Sequence, residues 1–335
     1  MEIAPAEDGF TVAAQGHAIV NKDRARRAAR KDHVTPDMER LGWIMTGPGW
    51  DTLLDLGCTV GETTKMTSRP RIIGVVTAGN IRDPLAWEAL ATCDLAEFRA
   101  DTWVGAGTEA SEIPALLREF REEGSLRFGH APETLFTLRL ERDGGSWPDD
   151  RAGERLEIWS ALAGAEGPRA CEWIDIEVEE VPNVGAPIRD ALQALGVKVL
   201  VSHHNFETSY SQEELKQLLG IMRETSLAGV KFALTCNTRA ELIDLLALAR
   251  DVADQISWGS VFSMGKTGRA TRVLSPLLGC PFTYGYLTGG AVAPGQLSAA
   301  ELWAFFASAP FPPANDLETL LRWAENRLQE DGLAR

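Results

Sequence analysis

The sequence predicts an eightfold β/α (TIM) barrel, on three observations. Eight short apolar runs, rich in β-branched and aromatic residues, recur between positions 71 and 287 and alternate with stretches of helical periodicity. That alternation is the mark of a parallel sheet whose strands are joined by crossover helices. Counted from Met66, about 270 residues remain, close to the roughly 250 of such a barrel. Charged residues also stand inside several runs at a spacing of two. A strand covered outside by helices turns that face toward the barrel interior or its open end.

Residues 1–68 do not share this pattern and are expected to be a poorly structured N-terminal extension, with the barrel domain at 69–335. A basic cluster (Lys22, Arg24, Arg26, Arg27, Arg30 and Lys31) lies among alanines there and reads as a solvated helix or tail. The run Leu53-Leu54-Asp55-Leu56-Gly57-Cys58-Thr59-Val60-Gly61 is similar to the nucleotide-cradling turn of S-adenosylmethionine-dependent methyltransferases, with Thr59 where a glycine is usual. No room follows it for the rest of such a domain, and a short glycine match alone is weak. Met66 stands as an alternative start just before the first strand.

Strands are expected at 71–77, 94–101, 135–140, 173–178, 197–203, 230–235, 257–264 and 282–287. Helices are expected between them at 109–123, 152–163, 187–195, 212–225 and 239–252. Residues 299–307 and 317–328 read as terminal helices around a break carrying Pro310, Pro312 and Pro313.

In the second strand Glu97, Arg99 and Asp101 alternate with Phe98 and Ala100, which places three charges on one face. Arg139 closes the third, ahead of a tight Asp143-Gly144-Gly145 turn, and Asp175 and Glu177 repeat the two-residue spacing in the fourth. The fifth ends in Ser202-His203-His204-Asn205-Phe206. The sixth, Gly229-Val230-Lys231-Phe232-Ala233-Leu234, is apolar except for one lysine. A buried lysine is costly unless it pairs with an acid or loses its proton, and the neutral amine attacks carbonyl carbon to give a Schiff base. Both readings of Lys231 stay open on this strand alone. The seventh strand leads into Met264-Gly265-Lys266-Thr267-Gly268, whose glycines and following helix suit an anion, with Arg272 as a carboxylate fork. Beyond the eighth, Val292-Ala293-Pro294-Gly295-Gln296 is a turn that sets the Gln296 amide over a substrate hydroxyl.

Composition excludes several classes. The hydrophobic fraction of 44% with 24% charged residues is that of a globular protein, and a net charge of −15 argues against nucleic acid or anionic membrane as partner. Five separated cysteines without a CxxC pair support neither zinc nor a redox motif and suit a reducing compartment. No signal peptide or membrane span is read, so a cytoplasmic location is expected. No metal or diffusible cofactor is called for. A second copy of the chain, giving a homodimer, is compatible with this reading.

Taken in order, these segments resemble the type I 3-dehydroquinate dehydratase family. Its motifs are a Glu-x-Arg-x-Asp strand, an Arg followed by Glu-Gly-Gly, Ser-x-His-Asp-Phe, the Schiff-base lysine, Met-Gly-x-x-Gly-x-x-Ser-Arg and Ser-Ala-Pro-Gly-Gln. The resemblance implies dehydration of 3-dehydroquinate to 3-dehydroshikimate, in the shikimate pathway of aromatic amino acid biosynthesis. Lys231 would form the imine, and His204 would act as base and then acid, oriented by the carboxylate of Asp143. Arg272 would clamp the substrate carboxylate, while Glu97, Arg99, Arg139 and Gln296 would bind hydroxyls and order the network. Four positions depart from the pattern: Asp143 for Glu, Asn205 for Asp, Thr271 for Ser and Val292 for Ser. Two other readings accompany this one, a dehydratase-like domain that senses dehydroquinate with little or no catalysis, and another Schiff-base barrel of the class I aldolase kind.

Overall fold

The fold was described from a computed structural model, which covers residues 70–164, 170–207, 210–225, 228–308 and 316–333. The expectations for the 1–68 extension, the basic cluster, the glycine turn at 53–61, the Met66 start and the proline break all lie outside these residues.

Eight parallel strands follow one another in chain order: β1 (Arg71–Val76), β2 (Leu95–Arg99), β3 (Thr134–Thr137), β4 (Trp173–Glu177), β5 (Lys198–Asn205), β6 (Gly229–Thr235), β7 (Gly259–Met264) and β8 (Phe282–Tyr286). Ladders join each strand to the next from β1 to β7, and β8 pairs with β1. β7 meets β8 through a side chain, Ser260 Oγ donating to the Phe282 carbonyl at 2.9 Å. The barrel is therefore nearly closed. Its outer helices are α1 (Pro84–Leu90), α2 (Asp101–Gly105), α3 (Ile113–Phe128), α4 (Arg155–Gly164), α5 (Val181–Ala194), α6 (Gln212–Thr225), α7 (Arg239–Gln255) and α8 (Arg269–Leu277). α9 (Ala299–Ala307) and α10 (Leu317–Glu330) end the chain.

Several element ends differ from the sequence expectation, and three of the differences move a charged or titratable residue near the cavity. β2 stops at Arg99, because Ala100 already has helical backbone angles and Asp101 opens α2. β3 stops at Thr137, so Arg139 stands beyond the strand, in a loop that returns through a bridge between Leu140 and Trp147. β5 runs to Asn205 because β6 continues alongside it, with His204 opposite Ala233, so both histidines belong to the strand. α5 begins at Val181, ahead of the expected 187, and bends at Gly185.

The N-terminal end of the barrel is filled with aromatic rings. Trp258 stacks between Trp173 and Phe282, with centroid separations of 3.4 and 3.8 Å. Arg71 and Lys198 lie over these rings with their charged ends. Polar side chains are thereby displaced to the opposite, C-terminal end, where active sites of this architecture form. No helix among the described residues is long and apolar enough to cross a membrane.

Candidate active site

Lys231 sits in the middle of β6, on the face that the strand turns inward, and is 5% exposed. Its Nζ lies 3.4 Å from Glu97 Oε1 and 3.4 Å from Asp175 Oδ2, and 4.3 Å from the centroid of the Tyr284 ring. The lysine is thus paired rather than bare. Both ion pairs are longer than a good hydrogen bond, so the ammonium is held loosely between two carboxylates and an aromatic face. Glu97 is fixed by Thr137 Oγ1, which donates to Oε1 at 3.2 Å.

Arg139 ties this pair to the histidine. Its Nη2 donates to Asp175 Oδ2 at 2.6 Å, while Nη1 reaches Glu177 Oε1 at 2.9 Å, Ser202 Oγ at 3.0 Å and His204 Nδ1 at 3.2 Å. Ser202 passes its own hydrogen to Asp175 Oδ1 at 2.5 Å. Glu177 is also held by the fully buried Arg155, whose Nη1 donates to Oε2 at 2.9 Å and to the Leu138 carbonyl at 2.8 Å. Burial alone raises the Asp175 carboxyl, but Arg139 and Lys231 outweigh it and hold it below its ordinary value. At Glu177 burial wins and the carboxyl is raised. His204 is pushed well below 6.5, first by burial and then by the cations Arg139, Lys231 and Arg99, so its ring is neutral.

Arg272 is different. It is 1% exposed, its Nε has no hydrogen-bond partner, and its Nη2 donates to the Pro294 carbonyl at 3.2 Å. Its guanidinium lies 4.2 Å over Phe262, and no carboxylate pairs with it among the described residues. Burial, with Arg269 nearby, lowers its pKa to about 9. A buried guanidinium without an anion is a site prepared for one. The loop after β8 closes over it. The Gly265 N–H donates to the Pro294 carbonyl at 3.0 Å, and a Cβ at Gly295 (φ +74) would run into the Gly265 carbonyl. Gln296 Oε1 accepts from the Val292 N–H at 3.0 Å, which leaves the Gln296 amide nitrogen as the donor that faces the cavity.

The structure brings all eight sequence-derived residues together. Lys231, His204, Asp143, Glu97, Arg99, Arg139, Arg272 and Gln296 line one cavity at the C-terminal ends of the strands. Arg99 is anchored from behind by Asp101, through contacts of 2.9 and 2.8 Å. Asp143 does not join His204 by a hydrogen bond; its ion partner is Arg142, at 3.7 Å. Thr271 accepts the Ser263 N–H at 2.8 Å and donates to the Gly268 carbonyl, bracing the turn from behind. Val292 packs on the barrel core. Sequence reading missed Tyr284, Ser202 and Arg155 as parts of the site. The inward alternation of β8 and β5 carried a signal for the first two, whereas Arg155, on an outer helix, carried none. Among the described residues no cluster of His, Cys, Asp and Glu is arranged to hold a metal ion.

Comparison with known proteins places this geometry. The family described as Type I 3-dehydroquinase matches residues 77–309. The chain is 32% identical to a 3-dehydroquinate dehydratase of Thermococcus gammatolerans over 233 residues, 69% of this chain and 95% of that protein. It is 31% identical to one from Klebsiella pneumoniae over 216 residues, 63% of this chain and 81% of the relative. The fold is shared with the 3-dehydroquinate dehydratase of Geobacillus kaustophilus (TM-score 0.60, 22% identity, 72% of this chain and 91% of that one). It is likewise shared with the Clostridium difficile type I enzyme solved with covalently modified comenic acid (TM-score 0.58, 22% identity, 72% and 92%).

Proposed function

The chain belongs to the type I 3-dehydroquinase family, and we propose that it dehydrates 3-dehydroquinate to 3-dehydroshikimate through a Schiff base on Lys231. The observation that carries this reading is the meeting, in one cavity, of a buried lysine, a neutral histidine and a buried arginine that no carboxylate among the described residues pairs with.

The chemistry follows from the placement. Arg272 takes the substrate carboxylate, and this fixes the ring ketone relative to β6. Lys231 Nζ passes a proton to one of its two carboxylate neighbours and adds to the ketone carbon; the carbinolamine hydroxyl then takes that proton back and leaves as water, so a protonated imine remains. Its positive charge lies where the ammonium lay, between Glu97 and Asp175. His204 removes a proton from the adjacent carbon, and the electron pair moves into the imine to give an enamine. As the pair returns, the ring hydroxyl leaves and takes the proton from the imidazolium. Water then hydrolyses the product imine and frees Lys231. Arg99, Arg139 and Gln296 hold hydroxyls and the network, and Asp143 supports the cationic form of His204. With this reading go a role in the shikimate pathway for aromatic amino acids, a cytoplasmic location and a catalytic domain at residues 69–335.

The position of Asp143, paired with Arg142, is the one observation that favours a slow or purely dehydroquinate-sensing domain. Incubation with 3-dehydroquinate separates the readings. Growth of the ultraviolet absorbance of the conjugated product is expected, and binding without that growth would point to the sensor.

A further inference from the structure

Beside His204 runs a hydrogen-bond chain that the chemistry above does not use. His203 lies on the opposite face of β5 from Ser202 and His204 and is buried. Its Nδ1 is 2.8 Å from Glu179 Oε1, and its Nε2 is 2.9 Å from the Tyr210 hydroxyl. Asn205 Nδ2 donates to that same hydroxyl at 2.9 Å. The amide orientation is set by its other end, because Oδ1 accepts the Glu207 N–H at 2.9 Å.

The protons can be placed one by one. A carboxylate only accepts, so His203 Nδ1 carries a hydrogen toward Glu179. The Tyr210 oxygen receives a hydrogen from Asn205, so its own is free for His203 Nε2. Every donor finds an acceptor when His203 is neutral and protonated on Nδ1. An aspartate at 205 would break this order. The tyrosine would turn its only hydrogen toward the carboxylate, and His203 Nε2 would face a lone pair.

The chain ties Asn205 to Tyr210, and Phe206 follows Asn205 directly. The Phe206 ring packs on Gly144, where φ is +77 and an added Cβ would come 2.5 Å from Phe206 Cζ. Both residues line the catalytic cavity with Asp143 and His204.

We infer that Asn205, Tyr210, His203 and Glu179 are positioning residues that seat Phe206 against the substrate cavity, and that position 205 is Asn because the link to Tyr210 must be donated. The inference rests on the dehydratase reading for its effect on turnover, while its hydrogen-bond order stands by itself.

Two measurements on the full chain test it. With ¹⁵N-labelled histidine, the His203 signals, identified by their loss in His203→Gln, are expected to be those of a neutral ring protonated on Nδ1. A ring protonated on Nε2, or a cation at pH 7.5, overturns the proposed order. In steady-state assays with 3-dehydroquinate, Tyr210→Phe and Asn205→Asp are each expected to raise KM about three- to tenfold with kcat within about twofold. The double variant is expected to be no worse than the poorer single one, since the two residues share one link. An unchanged KM in Tyr210→Phe, additive effects in the double variant, or a lower Tm with no KM change would each overturn it. A wild type that leaves 3-dehydroquinate untouched would refute the activity, and the tautomer measurement would still decide the chain.

Discussion

Arg139 Nη1 lies 3.2 Å from Nδ1 of His204, and a guanidinium nitrogen can only donate. The neutral imidazole therefore presents a lone pair to a cation. Nη1 has two hydrogens, while Glu177, Ser202 and His204 offer it three acceptors at 2.9, 3.0 and 3.2 Å. The contact with His204 is the longest of the three, so it is the one most easily released. Arg139 thus keeps the ring unprotonated in the free protein without locking it, which is the state a general base requires.

The first prediction concerns pH. Because burial and then Arg139, Lys231 and Arg99 push His204 well below 6.5, kcat/KM should stay flat as the pH falls through 6.5, with an acid limb only below it. Stability should begin to fall earlier on acidification. The unfolded chain takes up the His204 proton near pH 6.5 and the folded chain only at lower pH. This contribution is fully present above pH 6.5 and is lost as the pH drops toward the lowered folded value. Thermal unfolding of wild type and His204→Gln between pH 7.5 and 5 should show a shallower decline in the variant. Parallel declines would contradict the depressed value.

Arg272 predicts a trade between stability and binding. Its guanidinium is buried, and among the described residues no carboxylate pairs with it, so its charge is poorly compensated there. Replacement by an apolar side chain of similar length, Arg272→Met, should raise the Tm of the free protein by about 2–8 °C. The same change should weaken 3-dehydroquinate binding by at least about thirtyfold, because the substrate carboxylate loses its partner. Paired thermal-shift and calorimetric titrations check both halves. A lower Tm with unchanged affinity would show Arg272 to be structural.

Lys231 is tested by trapping. Borohydride added with 3-dehydroquinate should fix ligand mass on the peptide that contains Lys231. Lys231→Ala should lose the adduct and about a thousandfold or more of the rate, while circular dichroism stays that of the wild type. An adduct on another lysine would move the nucleophile.

Much of this was legible in the chain itself. The alternation of strands and helices fixes the barrel, since charges at a spacing of two in a strand covered by helices have only the interior to face. Lys231, Asp175 and Glu97 follow from that rule. Element ends were less legible, because they depend on neighbours. His203 and His204 belong to β5 only because β6 runs beside them to Leu234, and Arg139 leaves β3 early because Leu140 turns back to Trp147. The partners of His204 were not legible at all. Contacts between loops from different strands are set by side-chain reach, and the carboxylate of Asp143 is paired with Arg142 instead.

The domain boundary gives a fourth prediction. The barrel strands and every described residue of the cavity lie between Arg71 and Gln296, so a chain beginning at Met66 should fold and turn over as the full chain does. An insoluble or inactive product would make the preceding segment structural.

The last prediction concerns Asp143. Once His204 has taken the substrate proton it is a cation beside Arg139, and two neighbouring cations in a buried site repel strongly. A carboxylate must offset that charge. Asp175 and Glu177 are already engaged by Arg139, and Glu97 belongs to Lys231. Asp143 lines the cavity, and its only ion partner among the described residues is the half-exposed Arg142, at 3.7 Å. Burial raises its carboxyl despite Arg139, and a new cation beside it would act in the opposite direction. It is shorter than the family's glutamate by one methylene, on the order of 1.5 Å, which a bridging water can span. Asp143→Ala should therefore slow proton abstraction about ten- to a thousandfold while imine formation on Lys231 continues, so that borohydride still traps the adduct. Asp143→Glu should restore direct contact and raise the rate above wild type. If Asp143→Ala turns over like wild type across the pH range, the cationic imidazole is stabilised by Glu177 instead, after Arg139 has turned away from it.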